Sequence, residues 1–449
     1  MSVKLRFAPS PTGLIHVGNI RTALMNSLFC RKHGGTFLLR LDDTDEERST
    51  EEFSQAIQED LTWLGLTYDE VFKQSERYVR YNKIRDELIA KGLLYPCYET
   101  PEELERKRKR LLARGKPPIY DRSALALTEE QRKSYDDAGQ KPHWRFKLTH
   151  EMIEFTDLIR GEVAIDAATV SDPVLIRADG SYLYTLCSVI DDADYKITHI
   201  IRGEDHVTNT AVQVQIFKAI GAEVPKFAHH PLLTDDKGEK LSKRIGGLSV
   251  RSLREKGLEP QTILSYLARI GTSDPVEPHK MLKDIVGGFD ISRISHSPAR
   301  FVTHDMENLN SQIVASYDFS EIEIRLKKHA PEADAKFWNG VKFNLKYFSD
   351  VAEWYHIIFG NPENIAIPED KDYLTLALSE LQKLDWSTDV WKIWTNTLKA
   401  TSGRNGKKLF MPLRQALTGM SHGPEMEVII YLLGSEKIIQ RMENAIDSL

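Results

Sequence analysis

Cysteine is scarce. Cys30, Cys97 and Cys187 are the three in 449 residues, far apart and odd in number, which excludes a disulfide framework and a paired metal-ligand spacing and fits a reducing compartment. Long hydrophobic runs are missing too, so no segment is expected to span a bilayer. The start, Met1-Ser2-Val3-Lys4-Leu5-Arg6, meets Pro9-Ser10-Pro11 before any apolar region develops, and a cytoplasmic chain without a targeting signal is expected. An excess of positive charge is also absent. Sixty Lys+Arg against 66 Asp+Glu leave a net charge of -6, so a nucleic-acid surface can exist only as a local patch. The chain is too long for one compact core, and two to four domains are expected.

Residues 3–7 alternate polar and apolar, Pro9 to Gly13 breaks the pattern, and apolar residues recur at helical spacing from Gly18 to His33. Thr36 to Leu41 is a short apolar run, and Ser49-Thr50-Glu51-Glu52 carries a capping-box signature before a second helix. This strand-helix-strand-helix order predicts an α/β chain with a doubly wound parallel sheet. From about 95 to 180 the character changes, with a basic helix (Leu104 to Lys116) and strand-like His143 to Leu148, which reads as an insertion. Val174 to Arg177, Tyr182 to Ile190 and Thr198 to Arg202 read as strands completing the sheet, before a helix at Val207 to Ala219. Beyond residue 300 the pattern is helical, with Trp338, Trp354, Trp386, Trp391 and Trp394 spaced as packing residues. That region's clearest positive cluster is Arg404, Lys407, Lys408 and Arg414.

Two segments carry the chemistry. The stretch Arg6 to Asn19 puts His16 and small residues between a strand end and a helix start, where unpaired backbone N–H groups and a positive dipole end suit a phosphate. Gly13 and Gly18 would let a ligand approach the backbone. Taken alone, a loop histidine is more often structural. The stretch Asp235 to Gly247 carries Lys237, Lys240, Lys243 and Arg244 close to glycines, cations that can meet charge on transferring phosphates. Taken alone, such a run is more often a solvated loop.

Together, His16-Val17-Gly18-Asn19 and Lys240-Leu241-Ser242-Lys243-Arg244 resemble the paired signatures of class I aminoacyl-tRNA synthetases. Arg6 to Gly13, Leu39 to Asp45, Arg202-Gly203-Glu204-Asp205-His206 and Gly406 to Arg414 narrow the resemblance to bacterial-type glutamyl-tRNA synthetases, over nearly the whole chain. It implies a class I Rossmann-type catalytic domain (1–83 and 184–236) with an inserted acceptor-end-binding domain (84–183). A lysine-loop and stem-contact region (237–300) and an α-helical anticodon-binding domain (301–449) would follow.

The resemblance also implies roles. ATP, with Mg²⁺, would contact Thr12, Gly13, His16, Gly18, Asn19, Glu204, Lys240, Leu241, Ser242, Lys243 and Arg244. His16 would lie near the phosphates, Gly18 under the adenosine and Glu204 near the ribose, with Lys243 countering charge on pyrophosphate. Glutamate would be held by Arg6, Ser10, Asp42, Tyr184, Ser188 and Arg202. Arg6 with Tyr184 would take the side-chain carboxylate, Asp42 the ammonium, and Arg202 a carboxylate that stays open. Position 42 often carries glutamate in relatives, and that of Ser188 often asparagine.

Many relatives hold a structural zinc in the insertion with a Cys-x-Cys pair and a further cysteine near a tyrosine. Here Cys97-Tyr98-Glu99 and Tyr120 to Ala124 supply one thiolate, too few for a four-coordinate site, so no zinc is expected. The basic helix either faces tRNA phosphates or is a solvated face. A monomer charging tRNA-Glu is implied, with tRNA-Gln left open. Three other activities have counter-indications: the helical C-terminal region argues against a truncated paralogue that glutamylates a modified tRNA nucleoside and against a small-molecule nucleotidyltransferase, and His16 with Lys243 argues against a non-catalytic relative.

Overall fold

The computed structural model describes residues 2–239, 241, 248–363, 365–386 and 388–449. Two compact units result: Met1–Lys256 with Ile263–Val302, and Gly257–Thr262 with Thr303–Leu449. No helix among the described residues is long and apolar enough to cross a membrane.

The first unit opens as strand β1 (Lys4–Phe7), helix α1 (Val17–Lys32), strand β2 (Thr36–Leu41), helix α2 (Glu51–Trp63) and strand β3 (Glu70–Lys73). Both β1–β2 and β2–β3 pair in parallel. Leu5, Phe7, Leu38, Leu39 and Leu41 are buried, as a strand covered on both faces requires. Helix α2 starts on Thr50, whose side chain accepts from Phe53 N–H. The expected capping box is therefore not formed, because the third helical position falls on Phe53, which has no carboxylate to return the bond.

Helix α3 (Tyr78–Ala90) leads into strand β4 (Leu94–Cys97), and the insertion follows. It holds helix α4 (Pro101–Ala113), helix α5 (Glu129–Asp137), strand β5 (His143–Phe146), strands β6 (Met152–Asp157) and β7 (Gly161–Asp166), and strand β8 (Val174–Ile176). Then come helix α6 (Tyr184–Asp194), strand β9 (His199–Gly203), helix α7 (Val207–Ala219) and strand β10 (Lys226–His230).

Two sequence expectations fail here. Tyr182 to Ile190 is not a strand, since α6 begins at Tyr184; Leu186 through Asp192 are all buried, and the polar Ser188, Asp191 and Asp192 among them are bonded inside the protein rather than turned to water, so the apolar residues between them look like a buried strand. Strand β8 does not join the parallel sheet but closes an antiparallel β4-β5-β8 sheet. The second half of the parallel sheet is instead β9, β10 and β6, with β7 at its edge. It meets the first half where Thr198 N–H donates to Lys4 O at 2.9 Å. Chain order reverses between β1 and β9, and the crevice beyond the carboxyl ends of such strands is where α/β sheets bind ligands.

The second unit is helical among its described residues. Trp338, Trp354 and Trp394 are buried in its core, with Trp386 and Trp391 packed against it. Trp338 and Trp394 donate their ring N–H to Tyr317 O and Ala377 O, at 2.9 and 2.8 Å, which removes the cost of burying an indole.

Candidate active site

A cleft of about 650 Å³ opens at that crevice. Arg6, Ser10, Thr12, Gly13, His16, Gly18, Asn19, Asp42, Tyr184 and Arg202 line it, so the chain ends of β1, β2 and β9 and the starts of α1 and α6 bring together most of the expected contacts.

His16 caps α1: its Nδ1 accepts from Gly18 N–H at 3.0 Å, while its own N–H donates to Asn19 Oδ1 at 3.1 Å. Burial pulls the imidazole below its ordinary value, so a neutral ring accepting at Nδ1 carries its hydrogen on Nε2. A Cβ on Gly18 would meet the His16 ring at 2.9 Å; the glycine makes room for the histidine itself. Nothing lies within 4 Å of a Cβ on Gly13.

Lys240, Ser242, Lys243 and Arg244 lie outside the described residues. Leu241 is half-buried. The segment just beyond packs on the first signature: Val17 N–H donates to Leu248 O and Val250 N–H to Ile15 O, both at 3.1 Å.

The two arginines differ in a way the sequence does not reveal. Arg6 donates from Nε and Nη2 to Asp192, at 2.9 and 3.3 Å, so its charge is already paired. Arg202 is equally buried, yet no carboxylate pairs with it among the described residues. Its Nε donates to His229 Nε2 at 3.2 Å, Nη2 to Thr210 Oγ1 at 2.6 Å and Nη1 to the Tyr184 hydroxyl at 3.2 Å. Tyr184 thus partners Arg202 rather than Arg6. Burial pulls Arg202 below the ordinary arginine value, and a buried cation with neutral neighbours is a site an anion completes.

Asp42 is gripped by Arg40, Nε at 2.6 Å and Nη2 at 3.1 Å. Burial pushes its carboxyl up to about 6 against the pull of Arg40. Ser188 is fully buried and outside the cleft, accepting from Gln213 Nε2 at 2.9 Å, while its carbonyl accepts from Arg40 Nη1 at 3.3 Å. Glu204 also lies outside the lining; it accepts from Arg160 at 3.0 Å and from Leu232 N–H at 3.2 Å. Sequence reasoning missed Arg40, Asp192, His229 and Asp157. Arg40 lies inside the Leu39 to Asp45 motif, and consecutive Asp191-Asp192 beside an apolar run is a signal that they are paired.

In the insertion, donor atoms of Cys97, Glu99 and His143 lie within 4.8 Å of one another. Glu99 Oε2 and His143 Nε2 have no hydrogen-bond partner among the described residues. The set nevertheless does not fit a thiolate-rich tetrahedral zinc. It offers one thiolate at most, Lys107 Nζ sits 3.3 Å from Glu99 Oε1, and the Arg145 guanidinium stacks 4.2 Å from the ring of Tyr120, so cations already lie beside the set. Helix α4 buries no residue, and Arg106, Arg108 and Lys109 make only loose pairs with Glu103 and Glu105 on its own surface.

The second unit has its own pocket of about 320 Å³, lined by Trp391, Lys407, Phe410, Met411, Arg414 and Glu425 among others. Arg414 Nη2 donates to Pro424 O at 2.7 Å, while its Nη1 is buried without a partner among the described residues. Arg404 belongs to the fold instead, paired with Asp370 and stacked 4.2 Å from Tyr373.

Residues 2–308 match the family described as tRNA synthetases class I (E and Q), catalytic domain, and residues 321–446 an anticodon binding domain. A glutamate–tRNA ligase 2 of Hyphomonas neptunium is 50% identical over 439 residues, covering 98% of this chain and 99% of that one. A glutamate–tRNA ligase 1 of Zymomonas mobilis is 51% identical over 450 residues, covering 99% and 100%. Among solved structures, a glutamate tRNA ligase from Elizabethkingia meningosepticum in complex with its amino acid superimposes with a TM-score of 0.86 at 28% identity, each chain fully covered. With a phosphate-suited helix start and a buried arginine that no carboxylate pairs among the described residues, this chain belongs to the class I (E and Q) tRNA synthetase family.

Proposed function

We propose that the chain is a glutamate–tRNA ligase, which activates L-glutamate with ATP and transfers it to the 3′-terminal adenosine of tRNA-Glu. The observation that carries this reading is Arg202, buried beside Tyr184 with no carboxylate paired to it among the described residues, in a cleft that also holds Arg6 and Asp42. An amino acid with two carboxylates and one ammonium needs such a charge pattern. Curated relatives named for this activity at about half identity over the full length support it.

Glutamate would enter with its ammonium on Asp42 and its side-chain carboxylate on the Arg6–Tyr184–Arg202 wall. Its α-carboxylate attacks the ATP α-phosphate, giving glutamyl-adenylate and pyrophosphate. The substrate is its own nucleophile, so the chain supplies orientation and charge rather than a catalytic serine or cysteine. ATP, arriving with Mg²⁺, would lie over Thr12, Gly13, His16, Gly18 and Asn19 at the start of α1, where backbone N–H groups favour phosphate. Glu204, Lys240, Leu241, Ser242, Lys243 and Arg244 complete the proposed nucleotide contacts. The adenosine hydroxyl of tRNA then takes the acyl group and AMP leaves.

In the second unit, Trp391 and Phe410 offer stacking faces and Lys407 with Arg414 offer cations to an unpaired anticodon base, the usual means of reading single-stranded RNA. A cytoplasmic monomer is the matching cellular form. Charging of purified tRNA-Glu and tRNA-Gln with radioactive glutamate, side by side, tests the reading. Glutamate on tRNA-Glu is expected, glutamate on both would make the enzyme non-discriminating, and charging of neither would overturn it.

A further inference from the structure

We infer that His229, held by Asp157, is a positioning residue for glutamate selection, fixing the Arg202 guanidinium so that one Nη1 edge and the Tyr184 hydroxyl face the substrate carboxylate. This rests on the reading of Arg202 given above.

The sheet makes the arrangement. Strands β9 and β10 run parallel with Arg202 opposite His229, so the two side chains share a face. His229 Nε2 accepts from Arg202 Nε at 3.2 Å and lies 3.0 Å from Thr210 Oγ1, and its Nδ1 is 2.5 Å from Asp157 Oδ2. A ring accepting from an arginine must be neutral with its hydrogen on Nδ1, which donates to the carboxylate. Asp157 is itself immobilised, accepting from the backbone N–H of Ile159 and Arg160 at 2.9 Å each and from that of His229. Five donors are available on a guanidinium. With Nε on His229, the two Nη2 hydrogens on Thr210 and, at 3.5 Å, His206 O, and one Nη1 hydrogen on Tyr184, the remaining Nη1 hydrogen is left for a ligand.

The intervening imidazole has a further consequence. Asp192 sits directly on Arg6 and neutralises it. Asp157 is kept one ring away from Arg202, so it can orient that guanidinium without pairing with it, and the charge stays available for the substrate. Other charged or titratable groups around His229 are Arg160, which follows β6, and His206, which follows β9, together with His230 on its own strand.

The test compares glutamate and ATP KM in tRNA charging for His229→Asn, His229→Gln and Arg202→Lys. Asparagine can hold Asp157 but cannot reach Arg202, so glutamate KM should rise about tenfold or more, the worth of one hydrogen bond to a charged group, with ATP KM within about twofold. Glutamine, whose amide oxygen reaches the Nε2 position, should restore most of the loss. A His229→Asn enzyme with parental glutamate KM, equal effects of the two amides, or glutamate and ATP KM rising together would overturn the inference. If Arg202→Lys leaves glutamate KM unchanged, the reading of Arg202 fails instead. Should His229→Asn not fold, imidazole ¹⁵N shifts of the parent decide: a neutral, Nδ1-protonated His229 is expected, and an Nε2-protonated or cationic ring overturns it.

Discussion

Arg6 and Arg40 share one carboxylate oxygen: Asp192 Oδ1 accepts from Arg6 Nε and from Arg40 Nη1, each at 2.9 Å. Arg40 also grips Asp42. Two cleft-lining groups of opposite charge, Arg6 and Asp42, are therefore joined through two buried ones, and the spacing of the glutamate contacts is built before substrate arrives. Asp192→Asn would leave both guanidinium groups on a neutral amide. Breaking a buried pair costs about 3–5 kcal/mol, and a loss of that order is expected in denaturant unfolding, with a raised glutamate KM. Unchanged stability would show that Asp192 is dispensable to the chain of charges.

Lys243 tests the second signature. Its cation is expected to matter more as pyrophosphate leaves than in the ground state, so Lys243→Ala should lower kcat by on the order of 10²-fold and raise ATP KM less. Steady-state charging and pyrophosphate exchange measure both constants. An unaltered kcat would return Lys243 to a solvated loop.

His230 makes stability depend on pH. Its Nε2 lies 2.9 Å from the Thr22 hydroxyl and its Nδ1 3.1 Å from Pro231 O, the contacts of a neutral ring. Burial, helped by Arg21, pulls it from 6.5 down to about 3. The unfolded chain therefore binds the extra proton, and the stability due to the neutral ring is full above pH 6.5 and lost as pH falls towards 3. Asp42 and Asp60, pushed up to about 6 by burial, act in the opposite sense, so a difference is needed. His230→Gln should flatten the parent's decline between pH 6.5 and 4 by up to about 1.4 kcal/mol per pH unit. Parallel unfolding curves for the two proteins would contradict this.

The insertion should need no zinc. Lys107 Nζ lies 2.6 Å from Ser123 Oγ and 3.3 Å from Glu99, and the Tyr120 hydroxyl donates to Glu99 at 2.8 Å, so a side-chain network ties α4 to the end of β4 and to the turn after Tyr120. Elemental analysis of purified protein is expected to show no stoichiometric zinc, with a melting temperature indifferent to chelator but lowered by Lys107→Met. One zinc per chain would mean that Cys97, Glu99 and His143 bind after all.

The sequence alone determined what local spacing and local bonds control. Alternation at Lys4–Phe7, the helical period after His16 and the apolar run Thr36–Leu41 were readable because strand and helix periods are written in consecutive residues. That His16, Arg6, Asp42 and Arg202 belong to one site was implied by the family resemblance of their motifs, and all four line the cleft. Helix α6 reads as a strand because its polar residues Ser188, Asp191 and Asp192 are buried along with its apolar ones, and β8 reads as part of the parallel sheet because alternation says nothing of which sheet a strand joins. The partners of the guanidinium groups were beyond reach for a related reason. Arg6 and Asp192 are 186 positions apart, and Arg202 and His229 are 27 apart. The parallel register of β9 and β10 sets Arg202 against an imidazole, and the packing of α6 sets Asp192 on Arg6, because the acceptor nearest in space to a buried charge is chosen by packing rather than by proximity along the chain.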